Sequence, residues 1–462
     1  MYPKRLTRRE FMSRSAAAAA GVYLSACTGE RMSTAPRPRP SYGIDPTNLD
    51  TQWPVKRVIY IMLENRSFDH LFGRFPGANG VQSGVKLGQE VSLIDAPEWL
   101  PGDLPHDLTA WLEGYNDGKM DGFAQGTYGP YYAYSQFKPE DIPNYWHWAQ
   151  NYVLGDNFFA SAAGPSFNNH LWMIAGQAGG AIDNPENIKV KRLNDGRIFK
   201  SWGCDAHGED AYVLVRDEVG NVTKHPTCFR FKTVGEQLSE QDIDWAFYAA
   251  NPYQAGYIWN AYSAIEQVYG SEMWDEHMWP VDDLFRDIEA GSLPSVTWVT
   301  PRFQLSDHPP FSTKHAHNWV TDIVNRVMES EMWDSVAMFI SWDEWGGVYD
   351  HVVPPKIDAF DLGFRVPLLM ISPYAKKGYV DDALGEFSSP LRFIADNWGL
   401  DYLTKRIRTS HNFEHVFDFQ RRPRPPDPLP KIEATSTFHD FPENFPDWPA
   451  ELDPEPPKIR YP

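Results

Sequence analysis

Five short apolar runs limit the fold of this chain more than any other feature. They are "VKRVIYIML" from Val55, "DWAFYAA" from Asp244, "SVTWVTP" from Ser295, "SVAMFISW" from Ser335 and "VPLLMISP" from Val366. Each is aromatic or β-branched and lacks a polar–apolar alternation, the pattern of parallel strands buried on both faces. Helical patterns lie between them. "HNWVTDIVNRVMESEMW" sets Trp319, Ile323, Val327 and Met328 on one side, and "SSPLRFIADNWGL" opens with a Ser-Ser-Pro helix-entry signal. Strands alternating with helices predict an α/β fold, a mostly parallel central sheet with helices on both faces. Four of the strands end in polar sets: Glu64-Asn65, Pro301 leading to Asp307-His308, Asp343-Glu344, and Ser372-Pro373. Sites in open α/β sheets gather at the carboxyl ends of strands, so these loops are expected to converge.

Asp343 and Glu344 stand side by side where an apolar run ends. Adjacent carboxylates there repel each other and lose solvation, and a nearby cation removes that cost. Without a metal, Arg365 in "GFRVP" is the partner they would need. Asp350 and His351 follow within one loop. Glu64 and Asn65 offer a carboxylate and an amide oxygen, both hard ligands, although a capping role in a strand-to-helix turn fits them equally. In "SAAGPSFNNHLWMIAG", Gly164-Pro165 makes a turn that presents Ser166 at the start of a helix running through His170 and Met173. Backbone N–H groups and the helix dipole favour an anion at that place, and an ordinary capping serine fits the same residues. His308 lies in the proline-bounded "SDHPPF".

The pieces "ENRSFDH", "NDGKMDGF", "GDNFFASAAGPSFNNH", "SDHPP", "WDEWGGVYDHVVPP" and "GFRVPLLMISP" occur in this order between Val55 and about Asp401. Together they resemble the bacterial phosphoesterase family that contains phosphatidylcholine-type phospholipases C and a respiratory-burst-inhibiting acid phosphatase. The resemblance implies an alkaline-phosphatase/sulfatase-like fold and a divalent metal held by Glu64, Asn65, Asp343, Glu344 and the hydroxyl of Ser166. It implies Ser166 as the nucleophile, giving a phosphoseryl intermediate that water hydrolyses. His351 would protonate the leaving oxygen with Asp350 orienting its ring, while His308 and His106 (in "PHDL") would contact the nonbridging oxygens. An all-oxygen shell points to calcium, magnesium or manganese rather than zinc. Many phospholipase members have "GPTHPNR" where this chain has "GPSFNNH"; serine there is similar to the acid-phosphatase branch. The expected function is a phospholipase C-like phosphoric-ester hydrolase, with an acid phosphatase as the alternative. A non-catalytic surface lipoprotein on the same fold is the alternative of another class, and the absence of "CxPxR" or "SxPxR" around Ser166 argues against a sulfatase. In "GTYGPYYAYSQF", Tyr128, Tyr131, Tyr132 and Tyr134 are placed to line the cleft mouth, with Trp146 and Trp148 soon after. Aromatic faces there would hold a quaternary ammonium such as choline, or simply fold onto the core.

The termini carry an address and a tether. "TRREFM" sets Arg8 and Arg9 before a hydrophobic residue, an alanine-rich stretch follows, and "LSAC" ends at Cys27. Residues 1–27 therefore read as a twin-arginine lipoprotein signal, whose apolar stretch is too short to span a membrane. Lipidation of Cys27 would anchor the protein to a membrane outside the cytoplasm, periplasmic or on the cell surface. Residues 28–54 read as a proline-rich tether, 55–405 as the catalytic domain, and 406–462 as a proline-rich tail packed on the surface. Cys204 and Cys228 remain as an even pair, read as a disulfide in an oxidising compartment, with two unrelated thiols as the alternative. The formal net charge of −20 argues against a nucleic-acid partner. A phospholipid or other phosphate ester remains compatible, because a local metal or histidine cluster can reverse the field inside a cleft.

Overall fold

The structure, a computed structural model, describes residues 45–435 apart from 193–197, 209 and 359. The expected signal at 1–27, Cys27, most of the tether and the last part of the tail lie outside the described residues. All five apolar runs become neighbouring strands of one eight-stranded sheet. Its strands are β1 (Arg57–Leu63), β2 (Val153–Gly155), β3 (Trp245–Ala249), β4 (Met278–Pro280), β5 (Val296–Val299), β6 (Val336–Trp342), β7 (Leu368–Ile371) and β8 (Tyr379–Asp381). Across the sheet they run β4-β3-β5-β1-β6-β7-β2-β8. Every residue of β1 and β6 is buried, so both faces are covered, which is why these runs show no alternation. β1 is parallel to β5 on one side and to β6 on the other, with Leu63 opposite Trp342. The residues that follow β1 and β6 therefore leave the same edge at the same level.

One strand runs against expectation. β7 is antiparallel to β6, pairing Met338 with Ile371 and Ser341 with Leu368. Ser372-Pro373 consequently leave at the edge opposite Asp343 and take no part in the convergence predicted for them. Burial on both faces sets the composition of a strand, but its direction depends on the connection before it. A parallel return needs a crossover, usually helical, and the described residues between Asp343 and Pro367 form no helix.

The helices that matter here are α1 (Phe68–Phe72), α2 (Ser166–Ala175), α3 (Thr313–Glu329) and α4 (Ser388–Trp398). α3 buries Trp319, Ile323, Val327 and Met328 as its spacing predicts, but it begins earlier than His317, where the Ser312 hydroxyl accepts from the Lys314 amide. α4 ends at Gly399 in the left-handed conformation that glycine adopts freely. A second, smaller core including Leu104, Trp111, Phe123, Trp345 and Phe364 joins the segment after β6 to residues 93–134. The core also continues past the expected boundary at 405. A short helix spans Lys405–Thr409, and Ile407, Phe413, Val416 and Phe417 are buried. Asp418 to Thr435 form no helix or strand. Asn318 and Asn325 of α3 hold the backbone of Ile432 and Leu429. Cys204 and Cys228 are disulfide-bonded across a sequence separation of 24. Closing a loop of that size stabilises the fold by about 3–4 kcal/mol in the chain-entropy picture. Among the described residues, no helix is long and apolar enough to cross a membrane.

Candidate active site and metal centre

Because β1 and β6 end level, Glu64 and Asp343 emerge side by side, both fully buried. Asn65 follows with φ 61°, a left-handed conformation that asparagine tolerates better than most residues. That twist aims its N–H at Asp343 Oδ1 (2.9 Å), which also accepts from the Glu344 amide (2.8 Å). Glu344 Oε2 accepts from the Gly346 amide at 2.6 Å. Gly346 has φ 64°, and a Cβ there would lie 2.3 Å from the Asn65 carbonyl oxygen, so only glycine permits this close approach. Asn65, Asp343 and Glu344 thus each have one side tied to the backbone or a neighbour and one side left over. Asp343 Oδ2, Glu344 Oε1 and Asn65 Oδ1 are all buried without a donor.

Those orphaned acceptors need a cation. Burial, reinforced by Asp343, pushes the Glu64 carboxyl well above its usual range. Burial does the same to Glu344, with His106 opposing and Asp343 adding. Arg365 cannot relieve them, because it pairs with Asp69, Asp156 and Asp350 instead. Among the described residues, Glu64, Asp343 and Glu344 have ion-pair contacts only with His170 and His106. The residues present fit a divalent metal ion.

α2 brings the nucleophile candidate to the same place. Asn169 pins the turn before it, donating from Nδ2 to the carbonyls of Ala162, Gly164 and Pro165 and accepting the Ala162 amide. Ser166 opens the helix, and its hydroxyl donates to Glu64 Oε2 at 3.3 Å. One turn later, His170 Nε2 lies 2.7 Å from Glu64 Oε1 and 3.9 Å from Asp343 Oδ2. Burial pulls this imidazole down to about 4. The sequence reading gave His170 no role. Its four-residue spacing from Ser166, which places both on one helix face, was the available signal.

His106 and His308 close the cluster, their ring centroids 5.4 Å apart. His106 donates from Nδ1 to the Leu104 carbonyl (2.7 Å), and its Nε2 is 3.3 Å from Asn65 Nδ2. Burial pulls His106 down, but the carboxylates of Asp103 and Glu344 outweigh it and hold the imidazole up at about 9. A proton on Nε2 would turn the Asn65 amide around. The orientation with Nδ2 toward His106 belongs to a ring whose Nε2 carries no proton. His308 is packed against Phe303 and Trp259, donates from Nδ1 to the Pro309 carbonyl, and is held low by burial. Asp307 before it has φ 76° and accepts from Trp342 Nε1 at 3.0 Å, which ties this loop to the end of β6.

Residues 55–401 match the sequence profile of the Phosphoesterase family, the family expected from the six motifs. The chain belongs to that family. It is 24% identical over 485 residues to the hemolytic phospholipase C of Pseudomonas aeruginosa, covering 89% of this chain and 62% of that protein. It is 25% identical over 416 residues to the non-hemolytic phospholipase C of Burkholderia pseudomallei, covering 74% of this chain and 54% of that one. The chain therefore spans 62% and 54% of the length of these two relatives. A solved structure of an alkaline phosphatase superfamily protein from Vibrio parahaemolyticus aligns with 80% of this chain and 74% of its own, at 12% identity and a TM-score of 0.35. The α/β assignment rests on the eight-stranded sheet itself.

Two expected features of this phosphoesterase are placed differently. His351 accompanies not Asp350 but Asp69 of α1, whose Oδ2 is 2.6 Å from Nδ1 and also accepts the His351 amide at 2.9 Å. Burial would lower His351, but the bond to Asp69 raises it above its ordinary value. Asp350 instead accepts from Arg365 Nε and from the Asp69 amide. These residues form a second cluster bound to one another, and the hydrogen bonds of His351 lead to Asp69 and Asn79 rather than to Ser166. Adjacency in the sequence suggested the wrong carboxylate, because "ENRSFDH" folds back over the loop after β6. The tyrosines also divide. Tyr128 lines a pocket of about 350 Å³ together with Asp103, His106 and Asn184. Tyr131 is 69% exposed, Tyr132 packs on the smaller core, and Tyr134, Trp146 and Trp148 are buried.

Proposed function

We propose that this phosphoesterase is a phospholipase C-like phosphoric-ester hydrolase with Ser166 as its nucleophile. The observation that carries the reading is the hydroxyl of Ser166 at a helix N-terminus, beside a shell with three orphaned acceptors on Asn65, Asp343 and Glu344. Two relatives named phospholipase C support the substrate class. Glu64, Asn65, Asp343 and Glu344, with the Ser166 hydroxyl, would hold a divalent cation, whose oxygen donors alone suit calcium, magnesium or manganese. When bound, such an ion neutralises the buried carboxylates and lowers the pKa of an adjacent hydroxyl.

Ser166 Oγ attacks phosphorus in line with the leaving alcohol, so a phosphoseryl bond forms as the ester P–O bond breaks. Its proton faces Glu64 Oε2, the carboxylate oxygen placed to accept it. His106 and His308 face the developing charge on the nonbridging oxygens. With His351 engaged by Asp69, they are also the imidazoles placed to protonate the leaving oxygen. Water then hydrolyses the phosphoserine and restores Ser166. Tyr128, rather than Tyr131 or Tyr132, is the ring placed to meet a cationic head group. A phosphomonoesterase is the second reading, favoured by serine rather than threonine at position 166.

Purified wild type and Ser166→Ala would be tested on p-nitrophenylphosphorylcholine and on p-nitrophenyl phosphate. The proposal expects diester hydrolysis in wild type, lost in Ser166→Ala with the unfolding midpoint kept. Hydrolysis of the monoester alone transfers the protein to the acid phosphatases, no hydrolysis favours a surface lipoprotein, and an active Ser166→Ala removes Ser166 from the mechanism. We further propose export by the twin-arginine route and anchoring at Cys27, supported by the Cys204–Cys228 disulfide, which suits an oxidising compartment. Cys27→Ser should move the protein out of the membrane fraction, and an unchanged fraction would rule the anchor out.

A further inference from the structure

Three groups of side chains among the described residues have metal-ligand spacing: Asp103–His106–His308, Glu64–His170–Asp343 and Asp69–Asp350–His351. The third is already neutralised by Arg365. The second brings a nitrogen into a shell whose expected ligands are all oxygen. We propose that His170 Nε2 is a direct ligand of the metal centre. The site of this chain would then favour iron(II), cobalt(II) or zinc over calcium and magnesium. The inference rests on the reading that a cation occupies the Glu64–Asp343–Glu344 shell.

The geometry supports it in three ways. Nε2 is 2.7 Å from Glu64 Oε1 and 3.9 Å from Asp343 Oδ2, and the ligand atoms of the three residues lie within 4.8 Å of one another. Nitrogen and oxygen ligands about 2.0–2.2 Å from one ion sit roughly 3–3.5 Å apart, a separation these distances bracket. Second, all three side chains are buried, and Asp343 Oδ2 has no other partner, so the three converge without a competing donor. Third, the ring is held rather than free. α2 fixes it one turn from Ser166, and Trp259 lies nearly parallel to it, 13° off and 6.4 Å away. Nε2 is the nitrogen turned to the site, and with it on the ion the ring proton would lie on Nδ1, which has no hydrogen-bond partner in the chain.

An imidazole among carboxylates and an amide makes a mixed donor set, and imidazole suits late first-row ions where carboxylate and carbonyl oxygen suit magnesium and calcium. The competing role for His170 is that of a hydrogen-bond donor to Glu64 outside the shell, and experiment separates the two. The full protein would be stripped by chelation and titrated with zinc and with magnesium, as wild type, His170→Gln and His170→Asn. Unfolding midpoints of the stripped proteins identify any variant that fails to fold. Manganese(II)-loaded samples would be read by pulsed electron paramagnetic resonance for imidazole nitrogen coupling. Loss of a direct ligand should cut zinc affinity by roughly 100-fold or more and magnesium affinity by only about threefold, since even outer partners are worth 10–100-fold. The nitrogen coupling should disappear in both variants. A zinc loss below about 100-fold, the range of an outer partner, or a coupling that survives in the variants, overturns the assignment. A wild type that binds neither ion overturns the metal reading itself, whereas metal binding indifferent to His170 overturns only the nitrogen ligand.

Discussion

Arg365→Met should destabilise this protein severely at neutral pH and much less in mild acid. The guanidinium is fully buried over the Phe68 ring and serves three carboxylates, Asp69 at 3.2 Å, Asp156 at 2.9 Å and Asp350 at 3.2 Å. Removing one partner of a buried ion pair costs about 3–5 kcal/mol. Protonation sets the ceiling. A stranded carboxylate can take up a proton, which costs about 1.4 kcal/mol for each pH unit above its pKa in the wild-type fold. Asp350 has Arg365 as its only ion-pair partner among the described residues, and burial already holds its pKa up at about 6. It should therefore add about 1.4 kcal/mol at pH 7 and almost nothing at pH 5, where it is already mostly protonated. Asp69 keeps His351, and Asp156 is slightly exposed, so together they add about 2 kcal/mol. The total is about 3 kcal/mol at pH 7 and about 1 kcal/mol at pH 5, against a stability of about 5–15 kcal/mol for a typical domain. Urea unfolding of wild type and Arg365→Met at both pH values would measure it. A loss below about 1 kcal/mol at pH 7, or one that grows on acidification, would refute the account of this cluster.

The metal shell should behave in the opposite way. Glu344→Gln removes one carboxylate whose ion-pair contact among the described residues is with His106 alone, 4.0 Å away, so the metal-free protein should unfold at the same or a higher urea concentration while divalent-ion affinity drops by at least about tenfold; unchanged affinity in a titration would exclude Glu344 as a ligand. His351 titrates above its ordinary 6.5 because of Asp69, so its contribution is complete below 6.5 and is lost as pH rises through the folded value. His351→Gln should flatten the decline of stability above pH 6.5, and parallel pH profiles for the two proteins would contradict this.

Much of the site was legible locally. The Asp343-Glu344 pair, the Glu64-Asn65 step and the Gly-Pro-Ser turn each follow from a few adjacent residues, and each sits where a strand or helix boundary puts it. What was misread depends on contacts between distant segments. Asp69 reaches His351 across 282 residues, and Glu64 meets His170 across 106. A pattern in one stretch of chain carries no record of such a partner.

The sequence by itself determined that five buried strands form one sheet, because runs of β-branched and aromatic residues without alternation are stable only with both faces covered. It also determined which acids end those strands. Only the tertiary structure decided that β7 runs backwards and that Arg365 goes to Asp69 and Asp350, leaving Asp343 and Glu344 without an arginine partner. The physical reason is that burial and turn chemistry are properties of neighbours in the chain. The sharing of one buried positive charge among several carboxylates is settled by which strand ends and loops pack together.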